Sequence, residues 1–329
     1  MLAEALRAHG IDARLASRPL RGALAGKAEV ADRTIWLSAA ADALQDAPAD
    51  FDETLSACTK HGFTPDIAVV DHYGLGPEWE ERAIRRGLLV VALDDYPDRR
   101  HAADLVFDFS GRADDSDATR LGGLRYVPID PRFAGPPAHP MPLPPWRIAL
   151  FFGSSDLTGQ TSVAFEALRR LATMGRLEVA HIHVVAGAES AARQQLAKSV
   201  SGLPVARLSI QLPSLLPVLA NADAFLTAAG NSMLEALALG LPTVTVETAE
   251  NQHGLVERLA RQPCILHLGN SADVGAAEWE AGVLALRERF NSTILPVLAS
   301  RPIDGRGAER IAERIVALAS TNRARAIGG

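Results

Sequence analysis

Cysteine is nearly absent from this chain, with only Cys58 and Cys264 among 329 residues. The two lie far apart, each inside a mixed apolar stretch, and read as two buried thiols rather than a disulfide. That fits a reducing cytoplasm. An excess of positive charge is also missing. Lys and Arg number 33 against 39 Asp and Glu, a net charge of −6, so there is no basic footprint for nucleic acid. A phosphorylated ligand is not excluded, because backbone amides can bind one locally. No apolar run approaches the roughly 20 residues of a membrane span, and the N-terminus has no signal-peptide pattern. What remains, 48% hydrophobic and 22% charged residues, is the composition of a soluble cytoplasmic protein with length for two full cores.

Short apolar strands alternate with helices. Met1 to His9 reads as a helix stopped by Gly10, and Ile11 to Ala16 as a strand. Ile67 to Val70, Leu88 to Leu93 and Leu105 to Phe107 are further strands, with a charged helix from Glu78 to Arg86. The pattern predicts a parallel sheet with right-handed crossovers. A proline-rich connector, residues 135–146, breaks the pattern, and the expected domains are 1–138 and 139–329. The alternation then restarts: strand Arg147 to Phe152, helix Thr161 to Met174, strand Ala180 to Val185, helix Glu189 to Lys198, strand Ala206 to Ile210, and a helix around Leu215 to Leu219. The chain closes on an amphipathic helix, Ala308 to Leu318.

The most informative segment runs from Thr227 to Gln252. An apolar strand, Ala224 to Leu226, enters a small-residue turn, Ala228-Ala229-Gly230-Asn231-Ser232. A helix follows, with Glu235 one turn in, and stops at Gly240-Leu241-Pro242. A second strand, Thr243 to Val246, delivers Glu250-Asn251-Gln252 to the same edge. A turn without bulky side chains lets backbone N–H groups approach a phosphate, and a helix N-terminus adds partial positive charge. Glu235 is placed to accept hydrogen bonds from ribose hydroxyls. The layout reads as a site for the diphosphate and ribose of a nucleotide sugar. The plain alternative is a structural turn in which Ser232 caps its helix. The turn Gly153-Ser154-Ser155-Asp156 repeats the theme after an earlier strand, with Gly153 and Ser155 as candidate diphosphate contacts and Ser155 or Asp156 as candidate caps.

Other chemistry-bearing residues are weaker signals. His72 and Tyr73 follow a buried strand, and a histidine suits proton transfer near neutral pH. Asp94 and Asp95 are adjacent and point different ways, so one is expected to cap a turn and one to pair with Arg99. His181 and His183 share one face of a strand without ligands at metal spacing. No metal site and no cofactor is expected.

These motifs together resemble the hydrolases of pseudaminic acid biosynthesis. Those enzymes release UDP from UDP-2,4-diacetamido-2,4,6-trideoxy-β-L-altropyranose and share the GT-B architecture with the transferase that makes lipid II. The resemblance rests on Val70-Asp71-His72-Tyr73-Gly74-Leu75 with Trp79-Glu80, and on Leu93-Asp94-Asp95 with Asp98-Arg99 and His101. It continues through Phe151-Phe152-Gly153 with Ser155-Asp156, Gly230 through Pro242, Glu250-Asn251-Gln252, and Asp304-Gly305 with Gly307-Ala308. Three positions depart from the family: Asn231 and Ser154 stand for glycines, and Leu234 for an aromatic.

The resemblance implies a GT-B fold, two Rossmann-like doubly wound domains facing a cleft, with the nucleotide held mainly by the second. It implies UDP contacts at Gly153, Ser155, Gly230, Asn231, Ser232 and Glu235, sugar contacts at Asn251, Gln252 and Tyr73, and metal-independent attack of water. The family's base is a His in a G-x-G-H loop after a first strand, just ahead of the helix that here begins at Met1. No residue inherits that role, so the first strand and loop are expected to be missing and the chain as given to hydrolyse its UDP-sugar very slowly or not at all; Tyr73 and His72 are the catalytic candidates that remain. A glycosyltransferase with an acceptor alcohol, or a catalytically impaired nucleotide-sugar binder, is the alternative reading.

Overall fold

The computed structural model describes residues 1–19, 33–38, 47–96, 99–109, 118–135, 144–187, 193–262, 264–299 and 303–328. Asp98, the central part of the proline-rich connector (136–143) and the start of the helix expected from Glu189 lie outside the described residues. The chain divides into two compact units.

Unit 1 takes Met1–Pro128 together with Arg306–Gly329. Its elements begin with α1 (Leu2–Ala8), β1 (Leu15–Ser17), β2 (Thr34–Trp36) and α2 (Ala47–Lys60). They continue through β3 (Ile67–Val70), α3 (Pro77–Arg85), β4 (Leu89–Asp94), β5 (Leu105–Asp108) and β6 (Arg120–Gly122). β1 and β2 form a two-stranded parallel pair, and β3-β4-β5-β6 a four-stranded parallel sheet. Every residue of β4 and β5 is buried, which explains their near-continuous apolar runs: a parallel strand is covered on both faces. α3 opens on Pro77, whose fixed φ suits a first turn. Glu78 and Glu80 stand in that turn and Arg82 and Arg85 in the last, each end complementing the helix dipole. On one face of the sheet Phe51 and Trp79 meet edge-on at 5.2 Å over Val70 and Val90.

Unit 2 spans Ile129–Gly305. Its first elements are β7 (Trp146–Phe151), α4 (Gln160–Thr173), β8 (Val179–Ala186), α5 (Arg193–Ser201), β9 (Ala206–Ile210) and α6 (Leu216–Leu219). Then come β10 (Ala224–Ala228), α7 (Asn231–Leu239), β11 (Thr243–Glu247), α8 (His253–Leu259), β12 (Ile265–Asn270) and α9 (Ala276–Ala299). The six strands run parallel in the order β12-β11-β10-β7-β8-β9. This is the doubly wound order, and the direction of winding reverses between β7 and β10. The crevice outside the strand ends at such a reversal is where open α/β sheets bind ligands. The core is sealed by Trp279, fully buried, whose indole N–H donates to Gln160 Oε1 at 2.7 Å. Gln160 in turn donates to the carbonyls of Ser271 and Val274 at 2.9 and 3.1 Å, so this buried polar group is fully engaged.

The final helix, α10 (Gly307–Gly328), belongs to unit 1. Ile311, Ala312 and Ile315 are completely buried against Leu6, Val91, Leu105 and Phe107. Gly307 makes this return possible, since a Cβ there would lie 2.1 Å from the Val127 carbonyl oxygen. The division therefore differs from the expected 1–138 and 139–329. The second crossing is invisible in the sequence, because an amphipathic stripe does not name the core it packs on.

Candidate functional site

Two turns flank the winding reversal of unit 2. The first follows β7. Gly153 has φ of +93°, in the left-handed region that favours glycine. Asp156 then turns its carboxylate back onto the amides of Gln160 and Thr161, both at 3.0 Å. Asp156, not Ser155, thus holds the first amides of α4 with its side chain, the N-cap position itself being Gly159, and Ser154 and Ser155 are exposed. The turn rests on Gly187 at the end of β8, where a Cβ would fall 1.6 Å from the Ser154 carbonyl oxygen.

The second turn follows β10. Ala229 is buried, Gly230 is extended, and α7 begins at Asn231 with no side chain capping its N-terminus. Ser232 is already inside the helix and does not cap it. The first amides of α7 stand beside the partial positive charge of the helix N-terminus, an arrangement that suits an anion. Glu235 is half-buried one turn along, and the helix stops at Gly240, φ +70°.

The edge is completed by the end of β11 and the short turn Glu250–Gln252. The Gln252 side-chain oxygen accepts from the Thr248 amide at 2.8 Å, which folds the side chain back so that its Nε2 would lie 3.6 Å from a Cβ on Gly230. The Gln252 side chain therefore reaches the same corner as the Gly230 turn. Beside them is a cluster the sequence did not reveal. Glu247 holds His267 Nε2 at 2.9 Å with one oxygen and His253 Nδ1 at 3.1 Å with the other.

In unit 1 the strand ends carry a second network. Asp94, fully buried, pairs with Arg99 at 3.6 Å, accepts from the Tyr96 amide at 3.2 Å and meets His101 Nε2 at 2.8 Å. One residue thus fills both roles expected of the Asp94-Asp95 pair. His101 Nδ1 lies 2.7 Å from Glu80, which also takes the amides of Ala102 and Ala103. Hydrogen bonds from Asp94 and then Glu80 push the His101 pKa up to about 9. Arg99 also donates to the carbonyls of His72 and Leu75, tying down the loop after β3.

That loop presents His72 and Tyr73. The His72 Nδ1 accepts from the Gly74 amide at 2.9 Å. A neutral imidazole so bonded carries its proton on Nε2 and offers a donor where a base needs a lone pair. In this tautomer the second ring nitrogen of His72 donates rather than accepts. Tyr73 is 60% exposed, with its hydroxyl donating to Asp95 Oδ2 at 2.8 Å and its ring edge-on to Tyr96.

The remaining candidates are structural. His183 meets the Ser209 hydroxyl at 2.9 Å and stacks edge-on with His181. Burial, with Arg207 and His181 nearby, pushes its pKa down to about 4. Both cysteines are free and buried, and burial raises the Cys264 thiol to about 11. Among the described residues no three His, Cys, Asp or Glu side chains are grouped to hold a metal ion, and no helix is long and apolar enough to cross a membrane.

With this geometry in view, the chain has the fold of the GT-B glycosyltransferases. S. aureus MnaA, solved with UDP, is similar at a TM-score of 0.66 and 13% identity, over 95% of this chain and 91% of that one. MurG from Acinetobacter baumannii gives 0.64 and 13% identity over 95% and 93%. The spinosyn rhamnosyltransferase SpnG, in complex with thymidine diphosphate, gives 0.54 and 17% identity over 96% and 91%. No protein-family model matches the sequence, and no curated protein does. At these identities the likeness establishes the fold.

Proposed function

We propose that this chain is a UDP-sugar-processing enzyme, and more finely a hydrolase that releases UDP from a UDP-diacetamido-trideoxy sugar. The observation that carries the reading is the pair of small-residue turns at the winding reversal of unit 2, one of them opening onto the uncapped N-terminus of α7. The amides of Asn231 and Ser232 would hold the diphosphate with Gly230, and Gly153 and Ser155 would close on it from the β7 side. Glu235 would take the ribose hydroxyls. Asn251 and the second N–H of Gln252 Nε2 would donate to the sugar, the Gln252 oxygen accepting from the Thr248 amide and the first N–H reaching the Thr248 hydroxyl at 3.3 Å. Charge that develops on the leaving diphosphate would meet fixed backbone dipoles, which need no reorganisation as the bond breaks. Structures of this fold solved with UDP and with thymidine diphosphate support a nucleoside diphosphate here. The finer substrate and the choice of water rest on the motif resemblance.

A second reading, transfer to an acceptor alcohol, is favoured by the rhamnosyltransferase among the similar structures. Calorimetry with UDP, followed by assays of UDP release from UDP-N-acetylglucosamine and from the diacetamido sugar nucleotide, separates the two. Release without an acceptor, undiminished by EDTA, supports the hydrolase. Release only with an added alcohol selects the transferase, and absence of UDP binding overturns both.

A further inference from the structure

The winding of unit 2 leaves one face of its sheet thinly covered. From β7 to β9 the chain winds one way, and right-handed crossovers put α4 and α5 on the same face. The link from β9 to β10 then passes back over β8 and β7 on the other face. Its helix, α6, has four residues and is about 6 Å long, against about 10 Å across three strands. Between that link and the strands lies a cavity of about 530 Å³, inside the range of small-molecule sites, roughly 300–1,000 Å³.

The lining divides by chemistry. Leu212, Pro213, Pro217 and Val218 of the link form an apolar wall. Arg147, His181, His183 and Arg207 stand on the strands beneath, and no Asp or Glu lines the cavity among the described residues, in a chain whose net charge is −6. Arg147 is already neutralised by Asp223, at 2.9 and 2.5 Å. His183, held by Ser209, is kept neutral by burial and then by Arg207. Arg207, opposite His183 in the β8–β9 register, is exposed and has no hydrogen bond or ion pair with any described residue. One uncompensated guanidinium therefore stands at a concave, partly apolar pocket. Arg147, His181 and Arg207 occupy the second or third position of their strands. The Gly153 turn is at the other end of β7, roughly 20 Å along the strand.

We propose that this cavity is a second ligand site, which binds a small organic anion: a carboxylate or phosphate carried on an apolar body. Arg207 takes the anionic head with its planar fork of N–H donors. The body lies against Leu212, Pro213, Pro217 and Val218, over the rings of His181 and His183. Nothing in the site depends on which sugar nucleotide the chain processes.

The test uses the full chain and calorimetry with 1-naphthoate and 1-naphthyl phosphate, with uncharged 1-naphthamide as control. At least one anion should bind the wild type at one site, with the same affinity in saturating UDP. Arg207→Ala should weaken that binding by about 10- to 100-fold, the effect of losing a charged hydrogen bond, and leave the melting temperature unchanged. Arg207→Lys should recover part of the loss, and 1-naphthamide should bind wild type and Arg207→Ala alike. Leu212→Trp, which fills the cavity, should abolish anion binding; should that variant not fold, the Arg207 variants decide, since Arg207 is exposed. The proposal is overturned if neither anion binds at millimolar concentration, or if Arg207→Ala or a folded Leu212→Trp keeps wild-type affinity. Displacement by UDP overturns it too, by placing the probe in the nucleotide site. An equal loss for 1-naphthamide in Arg207→Ala shows an apolar pocket with no recognition of charge.

Discussion

His101 Nε2 lies 2.8 Å from Asp94 Oδ2, inside the buried end of β4. The histidine is held protonated at neutral pH, its pKa lifted from 6.5 to about 9 by Asp94 and then Glu80. Burial works against the Asp94 charge, yet bonds from His101 and the Tyr96 amide hold its carboxyl below the usual range. The His101 pKa is raised on folding, so its contribution is full below 6.5 and is lost as pH climbs through 9. A shift of this size corresponds to about 3 kcal/mol. In urea titrations the stability gap between the wild type and His101→Ala should shrink by roughly that amount between pH 6 and pH 10. A constant gap across that window counts against the charged pair.

Glu235 is expected to bind ribose. Glu235→Ala should weaken UDP binding by about 1–3 kcal/mol, the range for losing hydrogen bonds to a charged group. Calorimetry showing unchanged affinity would remove it from the site.

Gly187 supports the β7 turn from beneath. A methyl group there meets the Ser154 carbonyl at 1.6 Å, so Gly187→Ala must displace the Gly153–Asp156 turn. The expected result is a loss of about 1–3 kcal/mol in stability from overpacking, with weaker UDP binding than that loss accounts for. Unchanged binding in a folded Gly187→Ala variant would separate this turn from the diphosphate.

Much of the strand framework was legible because buried parallel strands are short continuous apolar runs. β3, β4, β5, β7 and β10 announce themselves that way, and Gly87 and Gly240 mark helix stops with left-handed φ. β12 did not stand out, since Ile265-Leu266-His267-Leu268-Gly269-Asn270 mixes a histidine and a glycine into the run. The two small-residue turns were readable in the sequence, but the bonds from the Gln160 and Thr161 amides to Asp156 were not. The Glu247 cluster was not readable at all. Its members lie 6 and 20 positions from Glu247 and meet only because β12 pairs with β11 and α8 begins at the same edge.

The burial of Ile311, Ala312 and Ile315 against β4 and β5 has a consequence for how the molecule is made. During synthesis the ribosome emits residues 1–128 first, but the core they form stays open until residues 307–318 have emerged. Unit 2, contiguous in sequence, can close before unit 1, reversing the usual N-terminal-first order of folding. Stopping translation after Gly305 should therefore leave residues 129–305 protease-resistant and residues 1–128 digestible. Resistance of both halves in that truncated chain would show that α10 is dispensable to the core it covers.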